Sequence, residues 1–140
     1  MSAVITRLLK VQEDFLDIHV ELTPEQAVEW AGRCPDYNGF DPAKVQRFIR
    51  AVNKLVPPMR FGPDNPNTGK PHHKWVVGRE GSMVLYLKVI PTYLPTEFDY
   101  DELEGQLKAL GEVAEADEFH YYRPDLSVRQ WDLSVRFWWD

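Results

Sequence analysis

Apolar and polar residues alternate strictly over residues 16–22, where Leu16, Ile18, Val20 and Leu22 are separated by Asp17, His19 and Glu21. A period of two is what a strand with one buried face requires, so this segment is read as a strand. Residues 4–11 fit two readings, a strand that pairs with it as a hairpin or a short helix. A helix start follows at once: Thr23 can cap, Pro24 suits the first helical position, and Gln26 stands where a reciprocal cap needs it. That helix is expected to run to about Arg33, with Asn38-Gly39 marking a turn beyond it. Asp41-Pro42 opens another helix that reaches about Leu55. Its Val45, Phe48, Ile49, Val52 and Leu55 fall within roughly 120° of a helical wheel, and Arg47, Arg50 and Lys54 gather on the other side.

Val56-Pro57-Pro58 ends this pattern, because proline cannot continue helical hydrogen bonding. Residues 57–73 hold five prolines and two glycines and are read as a long loop, of the kind that is functional or mobile in a small domain. Two strands are expected at residues 74–78 and 83–90, joined as a hairpin through Arg79-Glu80-Gly81-Ser82. The second is expected to bury Met83, Leu85, Leu87 and Val89. Asp99 with Glu102 opens a helix whose Leu103, Leu107, Leu110 and Ala114 form one stripe, weakened modestly by Gly105 and Gly111. Residues 118–123 form a further strand, Arg123-Pro124-Asp125 a turn, and residues 128–139 a long final strand. In it Trp131, Leu133, Val135, Phe137 and Trp139 alternate with Gln130, Asp132, Ser134, Arg136 and Trp138.

The predicted order is β-α-α-β-β-α-β-β. With the two early helices taken as one layer, it implies an α+β fold: a ferredoxin-like, mostly antiparallel sheet of about five strands with helices on one face. Length adds that residues 1–140 make a single domain, since 140 residues is an ordinary domain size and no repeat or boundary interrupts the pattern. Apolar content of 44% with 18 aromatic side chains excludes disorder for the chain as a whole.

Charge changes the picture more. The net charge of −6 argues against general binding to nucleic acid or anionic membrane, yet it is unevenly spread. Residues 1–90 carry 12 Lys and Arg against 10 Asp and Glu, and residues 91–140 carry 4 against 12. Asp64 is the only acid between residues 42 and 79. The cations in that stretch, Arg47, Arg50, Lys54, Arg60, Lys70 and Lys74 with His72 and His73, form a candidate patch for a phosphate or an acidic protein surface. A solvated helix face, or pairing with the acidic C-terminal third, is the plainer account of the same residues.

No stretch approaches the length of a membrane span, and Arg7 and Lys10 interrupt the mildly apolar start, so neither a span nor a signal peptide is expected. The single Cys34 rules out an internal disulfide and fits a reducing, cytoplasmic location.

Catalytic constellations are missing. Gly62 to Gly69-Lys70 has six residues between its glycines and Pro71 after the lysine, which does not make a phosphate-binding loop. Adjacent His72 and His73 point opposite ways in extended chain, and no metal-ligand spacing supports them. The carboxylates at Asp99, Asp101, Glu102 and Glu104 fit capping and helix-dipole roles. Asp17, His19 and Glu21 share a strand face and could make an acid–base cluster, but such a row is more often the polar side of a strand. No catalytic residue, metal or cofactor is assigned.

The sheet face left open by the helices is the second candidate surface. By strand phase it displays Tyr86, Lys88, His120, Tyr122, Arg136 and Trp138 beside Asp17, Glu21 and Asp132. Tyr86, Tyr122, Arg136 and Trp138 are the expected contacts. Exposed aromatics on such a sheet can stack RNA bases, but three acids against two strong bases leave no cation surplus for phosphate. Aromatics with arginine suit a protein partner better. At least one of Trp138 and Trp139 is expected outside the core. The chain is therefore read as a small non-enzymatic interaction protein, an inhibitor, adaptor or regulator of a larger protein or macromolecular machine. Immunity proteins and phage-encoded modulators have this general character, though no motif selects either. The alternatives are nucleic-acid or phosphorylated-ligand binding through the helix at 42–55 and the loop at 57–74, and an enzyme whose site is built from dispersed residues such as His19 or His120.

Overall fold

Three of the helices begin where a side chain is available to satisfy the first free backbone N–H groups. The computed structural model describes residues 3–14, 17–36, 39–56, 73–80, 82–90, 98–125, 127 and 132–140, the side chains of 12–14 and 17–18 excepted. Helix α2 (Pro24–Arg33) carries the full reciprocal cap: Gln26 N–H donates to Thr23 Oγ1 at 3.2 Å, and Thr23 N–H donates to Gln26 Oε1 at 3.0 Å. Asp41 caps α3 (Pro42–Leu55) by accepting from the N–H groups of Ala43 and Lys44. Asp99 accepts from Glu102 N–H at the start of α4 (Tyr100–Val113).

The ambiguous N-terminal segment is a helix, α1 (Ala3–Asp14). Ile5 and Leu8 are buried, three positions apart on one helical face, whereas Val4 and Val11 face solvent. A strand reading would have buried every second residue instead.

Five strands form one sheet in the order β1-β2-β3-β5-β4, every neighbouring pair antiparallel. They are β1 (Asp17–Leu22), β2 (His73–Glu80), β3 (Ser82–Val89), β4 (Glu118–Tyr122) and β5 (Leu133–Trp139). The fold is thus α+β, a helical layer on one face of an antiparallel sheet. The β2–β3 hairpin is tighter than the sequence implied, because Arg79 pairs with Met83 and Glu80 with Ser82. His73, expected in the loop, opens β2. Among the described residues β5 begins at Leu133, and residues 128–131, with Trp131, lie outside them, as do residues 57–72.

Strand phase places the core as expected. Met83, Leu85, Leu87 and Val89 are buried together with Leu133, Val135, Phe137 and Trp139. Phe48 from α3 meets Phe137 edge-on at 4.7 Å, and Phe40 meets Trp139 at 5.3 Å, both in the T-shaped geometry that aromatic quadrupoles favour. Gly111 lets α4 close on the sheet: a Cβ there would stand 3.1 Å from the Phe137 ring. Cys34, at the end of α2, is buried as an inert apolar side chain would be.

Asn53 joins the two layers. Its side-chain N–H donates to the Pro24 carbonyl, and its Oδ1 accepts from the Trp75 indole at 2.9 Å and from His73 Nε2 at 2.8 Å. One amide therefore ties α3 to α2 and β2.

Candidate functional site

The residues that point away from the helices alternate with the core set, so register fixes which of them are neighbours. Tyr86 on β3 stands opposite Arg136 on β5, which stands opposite His120 on β4. Glu118, two residues earlier, faces Trp138. On the other side, His19 of β1 pairs with Gly78 of β2, which pairs with Val84 of β3. Gly78 contributes no side chain there, and the side chains of His19, Glu80 and Tyr86 converge.

Glu80 is the hub. Its Oε2 accepts from Tyr86 Oη at 2.8 Å and from His19 Nε2 at 2.9 Å, and its Oε1 accepts from Arg136 Nε and Nη2 at 3.2 and 2.9 Å. The third nitrogen of the same guanidinium, Nη1, donates to Glu118 Oε1 at 2.9 Å, which also accepts from His120 Nε2 at 3.2 Å. An ionised carboxylate only accepts, so each histidine holds its proton on Nε2. A charge ladder His19–Glu80–Arg136–Glu118–His120 thus crosses the whole sheet.

The electrostatics follow from these contacts. Partial burial pushes Glu80 upward, but the hydrogen bonds from Arg136, Tyr86 and His19 together outweigh it and hold the carboxyl below its ordinary range. Hydrogen bonds from His120 and Arg136 do the same for Glu118. Burial, then the hydrogen bond to Glu80, raises the Tyr86 phenol. A general acid or base at neutral pH needs the opposite displacement of its carboxyl, so this ladder is ill suited to proton transfer.

Aromatic rings frame the ladder. The Arg136 guanidinium lies 5.7 Å from the Trp138 ring centroid, and Lys88 Nζ, bonded to Ser134 Oγ at 2.8 Å, lies 5.2 Å from the Tyr86 ring. Tyr122 stacks on His120 with rings 6.2 Å apart and is 48% exposed. Trp138 is half-buried and Trp139 is in the core, as the aromatic terminus required.

The described members of the eight-membered cationic set do not assemble as one patch. Arg47, Arg50 and Lys54 are exposed on the outer face of α3 with no ion pair among the described residues. Lys74 lies on the open sheet face, bound to Glu21 at 2.8 Å. His73 points the other way, buried against Asn53, and so offers no surface contact. Arg60, Lys70 and His72 lie outside the described residues. Of the sheet-face residues, Tyr86, Lys88, His120, Tyr122, Arg136, Trp138 and Glu21 stand together, and the Asp17 side chain is outside the description.

Glu80 and Glu118 were missed as site residues. Glu118 alternates with His120 and Tyr122, a parity visible in the sequence. Glu80 was hidden inside the expected hairpin turn.

Among the described residues no helix is long and apolar enough to cross a membrane, and no group of three or more His, Cys, Asp or Glu is placed to hold a metal ion. Compared with family models, curated proteins and solved structures, the chain matches none.

Proposed function

We propose that this protein is a non-catalytic interaction module whose open sheet face docks on a larger folded protein, as an inhibitor, adaptor or regulator would. The observation that supports it is the ladder centred on Arg136, which fixes arginine and aromatic side chains on rigid strands while cancelling their charge locally. Side chains already held in place lose little freedom on binding, and arginine with aromatics is the usual anchoring chemistry at protein interfaces. Phosphate recognition is disfavoured there, since the Arg136 guanidinium already faces two carboxylates.

The test is capture from a lysate of the source cells by the immobilised protein, with Tyr122→Ala alongside. At least one protein identified by mass spectrometry should be retained by the wild type and lost with Tyr122→Ala, a substitution outside the core. Identical captures by both proteins would sink the reading.

A second reading rests on Arg47, Arg50 and Lys54, which have no ion pair among the described residues of the domain: nucleic acid or a phosphorylated ligand binds there. It requires fluorescence anisotropy to show affinity that falls steeply with salt and disappears when all three become Ala.

A further inference from the structure

On the helical layer, α3 and α4 leave an apolar trough between them. It consists of two adjoining stretches of about 510 and 320 Å³ that share Ala51, Leu110 and Val113. The α3 wall runs from Lys44 to Leu55, which at 1.5 Å per residue is about 16 Å, or three helical turns. Val113 is 77% exposed, the most exposed large apolar side chain among the described residues. It is not part of the core cluster. The core stripe of α4 is Leu103, Leu107 and Gly111, and a β-branched residue on a solvent-facing helix position has poor helix propensity.

Among the described lining residues the charged ones, Lys44, Arg47 and Lys54, all belong to α3. Arg47 and Lys54, two turns apart on α3, flank the trough without carboxylate partners among the described residues, whereas Gln106 and Ala109 form the opposite wall. Lys44, at one end, is held by Glu115 at 3.3 Å.

We propose that this trough receives an amphipathic helix of a partner protein, about three turns long, with apolar side chains on one face and Asp or Glu on the flank beside α3. Helix-in-groove docking presents residues at i, i+4 and i+7, which span about 10 Å and fit within the wall of about 16 Å. Charge complementarity selects the acidic flank. A nucleic acid is less suited, because its phosphates would lie over Leu110 and Val113 and gain nothing from them. The chain's own residues 57–72 carry Arg60 and Lys70 against Asp64, the same sign as the rim. This site is independent of the open sheet face.

A display library of helix-biased peptides of about 16 residues, panned against the intact protein, tests it. Enriched sequences should pair apolar i, i+4, i+7 residues with an acidic flank. Synthesised as fluorescein conjugates, they should lose at least about tenfold in affinity with Val113→Glu, and as much with Arg47→Glu/Lys54→Glu, while Tyr122→Ala leaves them unchanged. These positions are exposed, and circular dichroism with thermal melting checks that each variant folds. No enrichment, enrichment without acidic bias, or binding unmoved by Val113→Glu overturns the proposal. So does displacement of the peptide by a DNA duplex of about 20 base pairs, which would give the trough to nucleic acid. Light scattering that shows a dimer dissociated by Val113→Glu would give it to a second copy, and would equally overturn the proposal.

Discussion

Arg136 and Arg47 are the same side chain put to opposite uses. Arg136 sits on the sheet, 17% exposed, with all three guanidinium nitrogens donating to Glu80 and Glu118. Arg47 sits on α3, exposed, with no ion pair among the described residues. The first arginine gives shape: its fork fixes two carboxylates and a tryptophan ring, and its charge is spent locally. The second gives field, felt by an approaching anion over a Debye length of about 8 Å. A face of the first kind selects a partner by fit, and one of the second kind by sign. The two surfaces therefore call for partners of different chemistry.

The contrast breaks most completely where the two layers are fastened. Asn53 lies on the inner flank of the same α3 that displays Arg47, and Asn53→Ala leaves the Trp75 indole, His73 Nε2 and the Pro24 carbonyl without this partner. Stranding buried polar groups costs about 1–3 kcal/mol each before relaxation, so a loss of about 3 kcal/mol is expected. Urea unfolding should show a lower midpoint at unchanged slope. A loss below about 1 kcal/mol would mean that the clamp is not what joins the layers.

Arg136→Ala comes next. It leaves Glu80 without its cation, at an expected cost of about 2 kcal/mol, discounted from a fully buried pair because the carboxylate keeps some solvent. Arg47→Ala should stay within about 0.5 kcal/mol of wild type. Equal effects would erase the distinction between the faces. The pH dependence sharpens it. Both carboxyls are held below their ordinary value of 4.5, so the native state takes up protons less readily than the unfolded chain. Stability from these contacts is fully present above that value and is lost as pH falls through the lower native one. Arg136→Ala removes much of the depression, so its stability gap from wild type should narrow from about pH 7 to about pH 3. A gap constant with pH would show that the guanidinium is not what holds the carboxyls ionised.

The helices were legible because their signals are local. Thr23-Pro24-x-Gln26, Asp41-Pro42 and Asp99 each fix a start within a few residues, and the 3.6-residue stripe of α3 names its own buried face. The core phase of β3 and β5 was legible through period-two alternation. The site was only half legible, because it depends on register between strands distant in sequence. Arg136 and Tyr86 could be placed on the open face by parity, but their meeting at Glu80 required a hairpin so tight that Glu80 pairs with Ser82. Val113 escaped for a related reason. Leu103, Leu107, Leu110 and Ala114 were read as one stripe; Leu103, Leu107 and Ala114 are buried, but Leu110 is only partly so, and Gly111 meets the Phe137 ring. That ring stands on β5, many residues away.

The smallest effect expected lies at the end of the trough and has the opposite sign. Helix α4 terminates with Ala116 N–H donating to the Gly111 carbonyl and Glu115 N–H to the Glu112 carbonyl, the paired bonds of a Schellman cap. Glu115 adopts φ 64°, a left-handed conformation that a residue with a Cβ enters at a cost and glycine enters freely. Glu115→Gly should therefore raise stability by about 0.5–1 kcal/mol, a gain larger than the exposed ion pair with Lys44 that it gives up. It should also free Lys44 and extend the unpaired cationic rim by one residue, tightening any acidic peptide held in the trough modestly, about twofold. A stabilised variant with unchanged peptide affinity would show that Lys44 takes no part in the site. A destabilised one would show that the ion pair, and not the backbone, governs this turn.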